Sequence, residues 1–248
     1  MPARTVRLPY PCHAVQVSEI RTQTVPLVDG SALRLTVGEP EGAVRGGIVV
    51  LQEARGVTDA VRGLVHGLAD DGWLAVAPHL YHRDGADELD GDDAAVREQV
   101  ERLDTDQVLG DTDTAFGWLG DHDIDADRMG VIGFDLGGSV ALIVAAKRTL
   151  GAAVSVGDAG GAGGPSERIT ALVAAAQGLT CPWLGIYGET DDGGTDPQIG
   201  RLRDAAAKSE MVTDVVVYPA SGHRFDVDTD SAADAWQRTL NWFDSHLR

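Results

Sequence analysis

With 248 residues, 43% hydrophobic and 24% charged side chains, the chain is long enough to bury a core and ordinary enough in composition to fold as one α/β domain over residues 1–248. Its formal charge is −19, and Lys147 and Lys208 are the two lysines among 20 basic residues, so its surface repels phosphate backbones and anionic membranes. That excludes nucleic acid and membrane as partners, and the acidity is read as solubility. The stretch "MPARTVRLPYPCHAVQV" lacks the apolar core of a secretory signal, and no apolar run reaches membrane-spanning length, so a cytoplasmic protein is expected. Two cysteines, Cys12 and Cys181, are too few for a disulfide framework or a cysteine metal cluster.

In chain order, "TVPLVDGSALRLTV" predicts a hairpin turning at Asp29-Gly30, and "GGIVVLQE" is a continuous apolar run typical of a central strand. A helix is expected from Thr58, its cap, to Asp71, stopped at Gly72, with "WLAVAP" as the next strand. Residues 92–120 predict one long or two broken helices, with Val96, Val100, Leu103, Val108 and Leu109 on one face. "RMGVIGF" is a strand and "GGSVALIVAAKR" the helix after it. "GAAVSVG" and "CPWLGIYGE" are strands separated by a glycine-rich loop and one helix. "TDVVVYPA" is the last strand, and "SAADAWQRTLNWFDSHL" is a closing amphipathic helix. Strands alternating with helices indicate a mostly parallel central sheet flanked by helices. The short segment between the strands after "VIGFDLGG" leaves no space for a cap domain. Neither a dinucleotide fingerprint nor a Walker sequence stands in the required context, so no cofactor is implied and none of metal type.

The turn in "VIGFDLGGSVAL" carries the chemistry. Strand, G-F-D-L-G-G and helix have the form of a nucleophile elbow, with Gly133, Gly137 and Gly138 permitting the tight bend and Asp135 at its tip above a helix N-terminus that stabilises negative charge. The plainer reading makes Asp135 an ordinary N-cap. Two further segments favour the first: "YGETDDGGTDP" brings carboxylates after one strand and "YPASGHRFD" brings His223 after the next, giving the order nucleophile, acid, histidine.

These pieces together resemble the dienelactone hydrolases, small α/β hydrolases, over nearly the whole chain. The matching segments are "LQEARGVTD", "APHLYHR", the elbow, "GETD" and "SGHRF". The resemblance implies that Asp191 orients His223, with Asp192 and Asp196 as the other acids within reach. It implies that the backbone N–H groups of Ala54 and Leu136 form the oxyanion hole, that Glu53 interacts with the nucleophile, and that Arg83 helps hold a substrate carboxylate. Tyr81 and Arg55 are grouped with the substrate-binding residues. Two positions depart from the family pattern. The family's elbow normally carries cysteine where this chain has Asp135, and Val227 stands where the archetype has a second substrate-binding arginine.

A carboxylate attacking an ester makes an anhydride, whose tetrahedral precursor expels carboxylate in preference to alkoxide by about ten pKa units. Attack on a saturated carbon instead yields a stable alkyl ester of the enzyme that water can cleave. In this respect "DLGG" resembles the aspartate elbows of epoxide hydrolases and haloalkane dehalogenases. The expected cycle has Asp135 open a small epoxide, or displace a halide, before a water activated by His223 hydrolyses the ester. Tyr81 or Glu53 would protonate the leaving oxygen; Glu53 is otherwise expected to bond Arg55 or backbone. The alternatives are an esterase or lactonase with Asp135 as base, and a non-catalytic small-ligand binder. The protein is expected to act as a monomer or homodimer on a small molecule.

Overall fold

Every residue of the strands β3 (Gly47–Leu51), β4 (Leu74–Pro78), β6 (Ala152–Gly157) and β7 (Trp183–Gly188) is buried, as strands covered on both faces must be. A computed structural model of the chain describes residues 20–157, 172–189, 197–218 and 228–248. With β1 (Ile20–Pro26), β2 (Ala32–Gly38), β5 (Met129–Phe134) and β8 (Thr213–Tyr218), these strands form one eight-stranded sheet of order β1-β2-β4-β3-β5-β6-β7-β8. β1 and β2 pair antiparallel, β2 pairs antiparallel with β4, and all later pairs are parallel. The expected hairpin is present, and Gly30 takes the positive φ of 83° that its turn requires.

Side-chain alternation divides the core between two faces. Val49, Leu51, Val76 and Val131 point to a cluster completed by α3 (Thr105–Gly120), α4 (Leu136–Lys147), α5 (Leu172–Gln177) and α6 (Pro197–Ala206). Ile48, Val50, Ala75 and Ile132 point the other way, against α1 (Asp59–Asp70) and α7 (Thr229–His246). α4 is buried from Leu136 to Ala145 without a polar side, because it lies between the sheet and α5.

The region 92–120 forms two helices, α2 (Asp93–Arg102) and α3, and the five residues expected on one face are all buried. The break falls at Asp104, whose extended backbone leaves its carboxylate to accept from the N–H groups of Asp106 and Gln107 at 3.0 and 3.1 Å. No element was expected between β7 and β8. The structure has α6 there, with Ile199, Leu202, Ala205 and Ala206 buried. A parallel β7–β8 pair requires a crossover, and this one is a helix of 10 residues that starts at a proline and includes Gly200. No helix among the described residues is long and apolar enough to cross a membrane.

Because Asp104 satisfies two of the orphan N–H groups at the start of α3, Asp104→Ala should lower unfolding free energy by about 1 kcal/mol. Urea denaturation should show a lower midpoint with an unchanged slope.

Candidate active site

Asp135 joins β5 to α4 with φ 50° and ψ −107°, a conformation that residues with a side chain rarely adopt. Its N–H donates to the Val156 carbonyl at 2.8 Å, and its own carbonyl accepts from Ser139 N–H at 3.1 Å, so neighbouring backbone holds the strained unit. A Cβ at Gly133 would strike the Gly137–Gly138 peptide, and one at Gly157, the last residue of β6, would strike the Asp135 carboxyl. That contact sets the carboxyl over the C-terminal end of β6. Although Asp135 occupies the N-cap position, its side chain makes no cap bond to α4, and it is only partly buried. The ordinary N-cap reading is thereby corrected: the backbone angles are wrong for a cap, and the carboxyl points elsewhere.

Beside the elbow, β3 runs into a turn at residues 53–56. Leu51 pairs in register with Gly133, and a Cβ at Gly137 would overlap the carbonyls of Leu51 and Gln52, so elbow and turn are in backbone contact. The Glu53 carbonyl accepts from Gly56 N–H at 3.0 Å, which directs the N–H of the same planar peptide, that of Ala54, to the opposite side. Leu136 opens α4, so its N–H has no intrahelical acceptor. The two expected oxyanion donors therefore lie on adjoining segments.

The turn is braced from behind. Val57 N–H donates to the Asp87 carbonyl at 3.0 Å and Leu89 N–H to the Arg55 carbonyl at 2.9 Å, a short ribbon that Gly56, with φ 97°, permits by leaving room for the Asp87 carbonyl. Asp87 is itself pinned by Arg34 at 2.6 Å and by Nδ1 of buried His79 at 2.5 Å. In the neutral ring, Nδ1–H donates to Asp87 and Nε2 accepts from the Thr36 hydroxyl at 2.8 Å. Burial depresses the His79 pKa, with Asp87 opposing. His79 and Asp87 were not singled out from sequence; a histidine directly after a fully buried strand is the signal that could have found them.

Several expected roles change once partners are visible. Tyr81 is fully buried and its hydroxyl donates to the Ala54 carbonyl at 2.7 Å, and burial raises its pKa far above that of a free phenol. It holds the turn that carries Ala54 and, being fully buried, is not placed to meet a substrate. Glu53 accepts from the Thr58 hydroxyl at 2.8 Å rather than bonding Arg55. Arg55 donates to the carbonyls of Leu89 and Gly91 and to Asp93, away from a substrate role. Arg83 grips Asp111 with both terminal nitrogens, at 2.6 and 2.9 Å, which occupies the fork expected to take a substrate carboxylate. Asp111 is 1% exposed and also contacts His82 Nε2 at 3.1 Å. It too was missed, although an acid flanked by Val108, Thr112 and Ala115 on a buried helix stripe requires a buried cationic partner.

His223, Asp191, Asp192 and Asp196 lie outside the described residues, as do Cys12 and Val227. β7 and β8, which precede the two segments in sequence, end side by side at Gly188 and Tyr218. Cys181 is buried and its thiol pKa is pushed up to about 12, which removes it as a nucleophile. No group of three or more His, Cys, Asp or Glu side chains among the described residues could hold a metal ion.

The family model described as "Dienelactone hydrolase family" matches residues 33–247. The chain belongs to that family. A Yersinia pestis relative named "Putative carboxymethylenebutenolidase" is 34% identical over 212 residues, covering 80% of this chain and 78% of its own. The Pseudomonas putida protein named "Carboxymethylenebutenolidase" is 36% identical over 124 residues, 48% of this chain and 52% of that one. Among solved structures, a "Putative Dienelactone Hydrolase" from Klebsiella pneumoniae superposes with a TM-score of 0.77 at 29% identity, covering 92% of this chain and 100% of its own. The α/β-hydrolase fold expected from sequence is thus the fold found.

If Tyr81 only steadies the turn, Tyr81→Phe should lose about 1 kcal/mol of stability and under about tenfold in kcat, against the 10²–10⁴-fold of a lost general acid. Denaturation and steady-state kinetics on the same preparation separate the two. Charging His79 is disfavoured in the folded protein, so its contribution to stability is complete above its ordinary pKa of 6.5 and declines as pH falls through its lower folded value. Stability measured from about pH 7 to about pH 5 should decline less in His79→Gln than in the parent.

Proposed function

We propose that this protein is a hydrolase in which Asp135 attacks a saturated carbon, opening a small epoxide to an alkyl ester of the enzyme that water then cleaves. The single observation that carries this reading is the elbow. A carboxylate is held in the strained conformation of a nucleophile, φ 50° and ψ −107°, without capping the helix behind it. Acyl transfer is the chemistry such a group does worst, since the anhydride intermediate reverts; displacement at carbon is the chemistry it does well.

In the first step a carboxylate oxygen of Asp135 forms a C–O bond as the strained ring C–O bond breaks, and the leaving oxygen takes a proton. With the Tyr81 hydroxyl committed to the Ala54 carbonyl, Glu53 is the remaining donor of the two considered. In the second step His223, oriented by Asp191, takes a proton from water, which adds to the ester carbonyl. The N–H groups of Ala54 and Leu136 stabilise the resulting oxyanion; as it collapses the imidazolium of His223 gives its proton to the departing alkoxide, which leaves as the diol, and the proton on the freed Asp135 carboxyl returns to Glu53, restoring both groups. Halide displacement follows the same course but calls for indole or amide donors to the leaving ion, and no tryptophan occurs in the motif segments. The kinship to proteins named carboxymethylenebutenolidase favours a second reading, in which Asp135 serves as base for water attacking a lactone.

The test is intact-protein and peptide mass spectrometry of His223→Gln with a panel of epoxides, haloacids and lactones. An adduct on Asp135 that accumulates with epoxides and not with lactones is the expected result. In single turnover in heavy-oxygen water, label should enter the Asp135 carboxylate. Lactone turnover with neither adduct nor label would replace displacement by the water-base reading.

A further inference from the structure

Among the described residues, the sheet edge on which Asp135 emerges is rich in carboxylates. The segments 27–34, 52–62 and 79–93 stand at the C-terminal ends of β3 and β4 or in the hairpin turn beside them, the edge on which Asp135 emerges from β5. They carry nine carboxylates against four arginines, before Asp104, Asp111 and Asp135 are counted. Each of those arginines is already engaged by an acid: Arg34 by Asp87, Arg55 by Asp93, Arg62 by Asp59 and Glu88, and Arg83 by Asp111.

Arg83 shows how complete the neutralisation is. Its fork is closed bidentately by a carboxylate with 1% exposure, and Asp29, on the hairpin turn, stands 4.0 Å from its outer face. Arg83 cannot turn away from Asp111 to a ligand without cost, because the carboxylate left in the core would lose its cation. An anion arriving at Arg83 therefore meets net negative charge, and at the reacting atom it meets a further carboxylate, Asp135.

We propose that the site selects uncharged substrates and rejects those bearing a carboxylate, with Asp111 as the residue that sets this specificity by cancelling Arg83. The inference rests on Asp135 as the reacting centre for its turnover readout, and on the charge arrangement alone for its binding readout.

The test compares 3-phenylglycidamide with 3-phenylglycidate, which share one epoxide and differ in charge. In the unaltered protein the amide should exceed the carboxylate in kcat/KM by at least about tenfold. Raising ionic strength should increase kcat/KM for the carboxylate by screening repulsion and leave the amide flat. An attractive arginine predicts the opposite slope, and a carboxylate rate that falls with salt or equals that of the amide would overturn the proposal. Asp111→Asn should raise the carboxylate rate and reverse its salt dependence without changing the amide. Should that variant fail to fold, Asp29→Asn, an exposed change in a turn that tolerates asparagine, should give a smaller rise of the same sign. If neither epoxide is turned over, displacement by Asp135 is what fails. The charge proposal is then judged by calorimetric titration with cinnamamide and cinnamate: preference for the amide supports it, and equal or tighter binding of cinnamate refutes it.

Discussion

The contact on which the site depends is the one between the first turn of α4 and the end of β3. Because Gly137 has no side chain, its backbone lies against the Leu51 and Gln52 carbonyls, and that approach puts the Leu136 and Ala54 N–H groups on neighbouring strands of backbone. Any Cβ there would separate elbow from turn. The strain at Asp135 persists for a related reason. α4 is enclosed on every side by sheet and helices, so the chain cannot relax the bend by moving the helix without opening the core.

Around that contact the protein arranges concentric support. Tyr81 fixes the Ala54 carbonyl, the 55–57 and 87–89 segments form a ribbon, and His79, Arg34 and Thr36 anchor the ribbon to β2 and β4. These are polar interactions of buried or half-buried groups, each satisfied by a specific partner, which is the condition under which a buried polar network rigidifies rather than destabilises. The same layer consumes the arginines of this edge.

Much of this was legible in the primary sequence. Continuous apolar runs marked the central strands, Asp29-Gly30 marked the hairpin, and the glycine spacing around Asp135 marked the elbow, because each depends on steric or hydrophobic rules that act within a few residues. α6 escaped because it is short, begins at a proline and contains Gly200, and because its need arises from a parallel strand pairing that no local window contains. Asp111 escaped because α3 was judged by its apolar positions, and the acidity of the chain was assigned wholly to its surface.

The roles given to Arg83, Arg55, Tyr81 and Glu53 illustrate the boundary. Position along the chain was enough to bring these side chains to one edge of the sheet, since strand ends and turns dictate where a residue emerges. Which atom each then bonds depends on segments far away in the chain: α3 supplies the partner of Arg83, the 89–93 stretch that of Arg55, and the turn after β3 that of Tyr81. Local sterics and hydrophobic periodicity act over short spans and can be read directly; the pairing of long polar side chains is settled by through-space neighbours, and these exist only after the sheet has assembled.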